Sequence, residues 1–88
     1  MKRSFEIQNR LGLHARAAAQ LVQLAAGFSA ELTIEKDGQR VNGKSIMGVM
    51  MLAAAQGAIV EVEAIGTDAE ELLTAIATLI QSRFNEDH

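Results

Sequence analysis

In Gly12-Leu13-His14-Ala15-Arg16 an imidazole stands at the mouth of a helix whose apolar periodicity begins at Ala15, and a guanidinium follows two residues later. Free backbone N–H groups at a helix start attract phosphoryl oxygens, and the macrodipole disfavours a protonated imidazole there by about 0.3–1 kcal/mol. An unperturbed histidine titrates near about pH 6.5, so a small bias toward the neutral ring leaves a nucleophile for phosphorus at neutral pH. Arg16 then stands ready to balance the incoming charge. A protonated ring nitrogen cannot attack, so the reaction should weaken in acid. The same spacing also suits a capping histidine beside a solvated arginine. No second histidine or carboxylate lies at ligand spacing from His14, so no metal is expected, and no cofactor either. His88, at the chain end, is assigned no role.

Gly38 to Ser45, GQRVNGKS, matches the phosphate-loop pattern G-x-x-x-x-G-K-[ST] letter for letter. That loop works only when its central residues wrap around phosphates. Asp37-Gly38 followed by Gln39-Arg40-Val41 reads better as a hairpin turn and a returning strand, which would straighten the loop. Nucleotide binding through Gly43, Lys44 and Ser45 is therefore not expected.

A third segment, Lys44-Ser45-Ile46-Met47-Gly48-Val49-Met50-Met51, crowds three methionines and two aliphatic residues onto a helix of barely two turns. Such a helix cannot hide every side. Ile46 and Val49 are expected in the core, and some of Met47, Met50 and Met51 outside as an adaptable docking surface. Ser45 is the natural N-cap, where an added phosphate of about −1.5 to −2 charge is tolerated or stabilising.

The elements that must position these groups follow from periodicity and turn residues. Lys2 to Gln8 alternates Ser4, Glu6 and Gln8 against Phe5 and Ile7, a half-buried strand. Asn9 to Leu13 is a loop. Ala18, Leu21, Val22, Ala25 and Phe28 repeat at helical spacing, which predicts a helix over Ala15–Ala26 with Gly27 as a left-handed cap. Glu31 to Lys36 is a strand, Asp37-Gly38 a hairpin turn, and Gln39 to Asn42 the return strand. A short helix covers Ser45 to Leu52, and Ile59 to Ile65 sets Val60, Val62 and Ala64 against Glu61 and Glu63. Thr67 with Glu70 reads as a capping box for a last helix with Ala69, Leu72, Leu73, Ile76, Ile80 and Phe84 on one stripe. This order predicts an α+β fold, an open-faced β-sandwich: a four-stranded antiparallel sheet with three helices on one face.

Composition agrees with one domain over residues 1–88. The 88 residues are 49% hydrophobic, 15 of them alanine, which is enough for one core but not for a large internal cavity. There is no cysteine, hence no disulfide and no thiol chemistry, and a cytoplasmic location is the expectation. Eight basic against eleven acidic residues give −3 without any basic run, and neither Tyr nor Trp is present, so nucleic acid is not an expected partner. No apolar span approaches the roughly 20 residues of a membrane helix, so no membrane insertion is expected. The basic start has no apolar stretch behind it and does not read as a signal peptide.

Taken together, GLHAR around His14 and KSIMGVM around Ser45 resemble the active-site and regulatory-serine motifs of the histidine-containing phosphocarrier (HPr) family of the bacterial phosphoenolpyruvate-dependent phosphotransferase system. The resemblance spans the whole chain and includes element order. It implies that His14 accepts phosphate on Nδ1 from phosphorylated enzyme I and passes it to an EIIA-type acceptor domain, with Arg16 assisting. It implies that Ser45 corresponds to the serine modified by HPr kinase/phosphorylase. Docking in the family would fall around Ala15, Ala19, Ile46, Met47, Met50 and Met51. Ala17 stands where many members have proline, and either residue suits a first helical turn. Basic residues that border the family's docking face are absent at Gln23, Ala26 and Gly48. A nitrogen-regulatory or mainly regulatory paralogue is the alternative, although the retained His14 argues against a relative that has lost its acceptor. A monomer is the simplest state for a carrier that must release partners quickly.

Overall fold

Alternation along Ile59–Ile65 sends Val60, Val62 and Ala64 inward, each at most 2% exposed, and leaves the odd positions on the open face. The computed structural model describes residues 1–86, so His88 lies outside the described residues. Its elements are β1 (Lys2–Glu6), α1 (Ala15–Ala26), β2 (Glu31–Lys36), β3 (Gln39–Asn42), α2 (Ile46–Met51), β4 (Ile59–Ile65) and α3 (Ala69–Gln81), followed by a short 3-10 turn over Arg83–Asn85. The strands form one antiparallel sheet in the order β1-β4-β2-β3. Leu32 pairs with Ala64, Ile34 with Val62 and Phe5 with Val60, so one sheet face is apolar. The α+β expectation, four antiparallel strands with three helices, holds.

The core forms where Leu32, Ile34, Val60 and Val62 meet Ala18 and Leu21 of α1, Val49 of α2, and Leu72, Leu73 and Ile76 of α3. Ala17 and Ala18 are fully buried, and their small side chains suit close packing at the start of α1. The opposite face is charged. Glu35 and Glu61 stand directly across from each other, a repulsive pair. Arg40 offsets it by donating to Glu35 at 3.1 Å and to Glu63 at 3.0 Å, and Lys2 lies 3.7 Å from Glu61. The hydrogen bond from Arg40 holds the Glu63 carboxyl below its ordinary range, and the bond to Glu63 raises Arg40 in return.

The hairpin forms as its residues dictate: Asp37 and Gly38 both take positive φ, 52° and 83°, which matches the strand twist. Straightened in this way, Gly38 to Asn42 cannot wrap a phosphate. Lys44 instead donates through Nζ to the Phe28 carbonyl at 2.7 Å, tying the loop before α2 to the end of α1.

Several expectations are corrected. The first strand ends at Glu6 rather than Gln8. Gly27 is not a left-handed cap; its φ is −79°, because the chain leaves α1 through a tightened turn in which Gly27 and Phe28 donate to Leu24 and Ala25. The capping box at Thr67 and Glu70 does not form. Asp68 is the N-cap of α3, and its carboxylate is engaged elsewhere, accepting from the Ser29 and Ala30 N–H groups at 2.8 Å each. Phe84 is buried as expected, but not on the helix: α3 stops at Gln81 and Phe84 enters the core with φ 54°.

Asp68 thus fastens the α1–β2 connection to the start of α3. The Ser29 N–H, then the Ala30 N–H, hold its carboxyl below the ordinary carboxylate value. A carboxyl lowered by folding contributes stability that is complete above its unfolded pKa and is lost as pH falls through the folded one. Asp68→Asn therefore lowers the urea midpoint at neutral pH and flattens the acid limb of stability against pH. Parallel curves for parent and variant below pH 5 would contradict this.

Candidate functional site

Helix α1 begins at Ala15 because His14 is extended, with φ −73° and ψ −179°, and turns its own side chain back as the cap. His14 Nδ1 accepts from the Arg16 backbone N–H at 3.3 Å. That bond needs a lone pair on Nδ1, so the ring proton sits on Nε2. Nδ1, which carries the ring's lone pair, therefore points at the helix N-terminus, a place whose N–H groups suit an anion. Ala15 and Arg16 are exposed, and Arg16 forms no ion pair among the described residues.

What holds His14 in place comes largely from outside its own motif. Leu13 donates its N–H to the Ala54 carbonyl at 2.9 Å, and that carbonyl is presented by a turn in which Ala53 has φ 49°. Gly12 has φ +67° and lies so close to Ala54 and Ala55 that a Cβ would strike their backbone. Asn9, fully buried, donates through Nδ2 to the Gly12 carbonyl at 2.8 Å and to Glu86 Oε2 at 2.7 Å. Turning the Asn9 amide over would set its oxygen against two acceptors, which fixes this orientation. Glu86 also accepts the Leu11 N–H through Oε1 at 3.3 Å, and its Oε2 lies 3.5 Å from His14 Nε2. The Asn9 hydrogen bond first, then the Leu11 and Arg10 N–H groups, lower the Glu86 carboxyl.

Of the residues singled out in the sequence, His14, Arg16 and Ala15 gather at one helix start. Ser45 caps α2 as expected, its Oγ accepting from the Gly48 N–H at 3.1 Å. Met47 is 75% exposed and Met51 64%. Val49 is fully buried, but Ile46 is 41% exposed rather than in the core, because α2 is short enough that Val49 and Leu52 alone face inward. Met50 joins Leu11, Leu13 and Ala53–Ala55 around His14 in a shallow depression of about 290 Å³. Larger hollows lie away from it, between α1 and α3 and along β2–β3. The exposed apolar residues Leu11, Ile46, Met47, Met50 and Met51 make the site a projection suited to another protein's surface rather than a chamber for a small molecule. Ala19 is half-buried on α1.

Sequence reasoning missed Asn9 and Glu86. Asn9 reads only as a loop residue, and nothing singles out Glu86; no local signal links positions 77 residues apart. Among the described residues no group of three or more histidines and carboxylates that could hold a metal is formed, and no helix is long and apolar enough to cross a membrane.

A four-stranded open sheet that carries a helix-capping histidine beside an exposed apolar face is the architecture that known phosphoryl carriers share with this chain. A family model described as the PTS HPr component phosphorylation site matches residues 1–82. The phosphocarrier protein HPr of Neisseria meningitidis is 50% identical over 86 residues, 98% of this chain and 97% of that one. The phosphocarrier protein NPr of Escherichia coli is 42% identical over 88 residues, 99% and 98% of the two chains. The crystal structure of an HPr from Thermoanaerobacter tengcongensis superposes with a TM-score of 0.95 at 46% identity, covering 100% of this chain and 99% of the other. The chain belongs to the HPr family of phosphocarrier proteins of the phosphotransferase system.

Proposed function

We propose that His14 Nδ1 accepts a phosphoryl group from phospho-enzyme I, ultimately from phosphoenolpyruvate, and passes it to an EIIA-type acceptor. The observation that carries this reading is the direction of the Nδ1 lone pair, toward the open N-terminus of α1. The bond from phosphorus to the donor breaks as the Nδ1–P bond forms, and Nε2 keeps its proton throughout. In-line transfer asks little of the carrier beyond placement and charge. Backbone N–H groups of the first turn of α1 receive the phosphoryl oxygens, and Arg16, exposed beside them, supplies a full positive charge. Ala15, Ala19, Ile46, Met47, Met50 and Met51 form the docking surface for donor and acceptor in turn. The working unit proposed is a monomer in the cytoplasm, the simplest state for a carrier that must release its partners quickly.

Ser45 is proposed as a site of regulatory phosphorylation by HPr kinase/phosphorylase. Its hydroxyl lies at a helix start within the apolar face, so a phosphate there changes the docking surface without unwinding α2. The carbohydrate role is favoured over the nitrogen-regulatory alternative by the greater identity to HPr than to NPr among these relatives, 50% against 42%.

Intact mass at neutral pH after incubation with phosphoenolpyruvate and enzyme I tests the carrier reading. One phosphate is expected, lost on brief acid treatment because it is carried on nitrogen. Phosphate added by the kinase survives acid and is absent from Ser45→Ala. A parent chain that stays unmodified while a control carrier is phosphorylated in the same tube would overturn the assignment.

A further inference from the structure

Three consecutive residues, Arg83, Phe84 and Asn85, all take the left-handed conformation, with φ of 57°, 54° and 57°, which of the three only asparagine visits readily. None is glycine, and such backbone is unfavourable for each residue bearing a Cβ. It persists only where the surroundings over-determine it. Two anchors do so here. Phe84 is 2% exposed in the core, and Glu86 is bound by the active-site loop through Asn9 Nδ2 and the Leu11 N–H. The left-handed turn reverses the chain after α3 and delivers the Glu86 carboxylate to the side of the His14 ring away from the helix, 3.5 Å from Nε2. Core packing of Phe84 accounts for one end of the strained segment. It does not account for a carboxylate, only 13% exposed in its side chain, set against the proton-bearing nitrogen.

Resting on the carrier reading above, we propose that Glu86, held by Asn9, is a positioning residue for phosphoryl acceptance. It fixes the His14 ring through Nε2 so that Nδ1 faces the incoming phosphorus. The two nitrogens are then held from opposite sides, Nδ1 by the Arg16 N–H and Nε2 by Glu86. When the Nδ1–P bond forms, the Arg16 N–H loses its ring acceptor and turns to a phosphoryl oxygen. The Nε2–H to carboxylate contact is then the one that still orients the ring. As in other proton-bearing imidazoles backed by a carboxylate, the partner acts on orientation and on charge and takes no proton. Asn9 serves the arrangement twice, since one amide group holds both the Gly12 carbonyl of the His14 loop and the carboxylate that faces the ring.

The test uses the full chain and compares parent, Glu86→Ala, Glu86→Gln and Asn9→Ala. Initial rates of phosphorylation are measured against phospho-enzyme I concentration, with the ring nitrogens of His14 followed by 15N NMR. A misplaced nucleophile costs on the order of 10- to 100-fold, so kcat is expected to fall about tenfold in Glu86→Ala with KM changed less than twofold. Glu86→Gln keeps one accepting oxygen and falls between Ala and parent. In Glu86→Ala the Nε2–H resonance shifts and exchanges faster with water, which a merely structural role would not produce while the far-UV spectrum is that of the parent. Asn9→Ala should repeat the kcat loss and the resonance change. An unchanged kcat in Glu86→Ala would overturn the proposal, and so would a loss confined to KM or a loss with the ring resonances unmoved. If the parent itself accepts no phosphate, the carrier reading fails and this one falls with it. Phosphorylation of the parent with equal rates in all three variants refutes the positioning role alone.

Discussion

Phosphoryl acceptance is abolished in His14→Ala while the fold survives. The side chain is 29% exposed and its backbone bond is a single cap contact of 3.3 Å, so little of the core depends on it. Replacing a capping side chain by alanine costs about 0.5–2 kcal/mol, a modest part of the roughly 5–15 kcal/mol that stabilises a small domain. Chemistry, by contrast, has no substitute. The Arg16 backbone N–H and the Glu86 carboxylate are the polar groups recorded against the ring, and neither offers a neutral nitrogen lone pair to phosphorus. Intact mass at neutral pH and a urea titration decide the matter together. An acid-labile phosphate on a folded His14→Ala chain would show that another group is the acceptor.

Gly12→Ala is expected to damage both stability and transfer. The φ of +67° is strained for any residue with a Cβ, and that Cβ would fall on the Ala54 carbonyl and 2.9 Å from Ala55 Cα. Left-handed strain of about 1–3 kcal/mol adds to an overpacking penalty of about 1–3 kcal/mol, so a loss of about 2–6 kcal/mol in unfolding free energy follows. Relief of the clash must move the loop away from Ala54. The Leu13 to Ala54 hydrogen bond and the Asn9 to Gly12 hydrogen bond both lie in that loop, so His14 moves with it. A displacement of order 1 Å at the nucleophile lowers the rate by on the order of 100-fold. Gly57→Ala is the control: its φ is +90°, but no atom lies within 4 Å of the added Cβ. It should lose stability through strain alone and keep the parent rate. Equal rates for Gly12→Ala and Gly57→Ala would show that the Gly12 contact does not position the histidine.

Much of this was readable in the sequence because it is local. Period-2 runs marked β2 and β4 to the residue, Asp37-Gly38 marked the hairpin between β2 and β3, and Ser45 marked the start of α2. In each case neighbours in the chain supply both the pattern and its reason, whether the pleat, the twist-matched turn or a side-chain oxygen three residues from an orphan N–H. The hairpin also disposed of the phosphate-loop pattern, since a strand cannot be a cradle. His14 and Arg16 were legible for the same reason: a helix start is a local feature, and so is its appetite for anions.

Local rules misled where a distant partner offered more. The Thr67–Glu70 capping box gives way to Asp68 at the start of α3, whose carboxylate accepts from two backbone donors of the α1–β2 connection instead of capping the helix. Ile46 stayed outside because a helix of six residues packs through Val49, and no periodicity reports how far a short helix leans. The sequence by itself determined the elements, their order, the histidine at the start of α1 and the apolar face beside it. Tertiary structure alone decided what stands against Nε2 of His14 and what fixes the loop that carries it. Those contacts join positions 9, 13, 14, 54 and 86, and only chain closure through the sheet and the left-handed turn at Arg83–Asn85 brings such distant groups together.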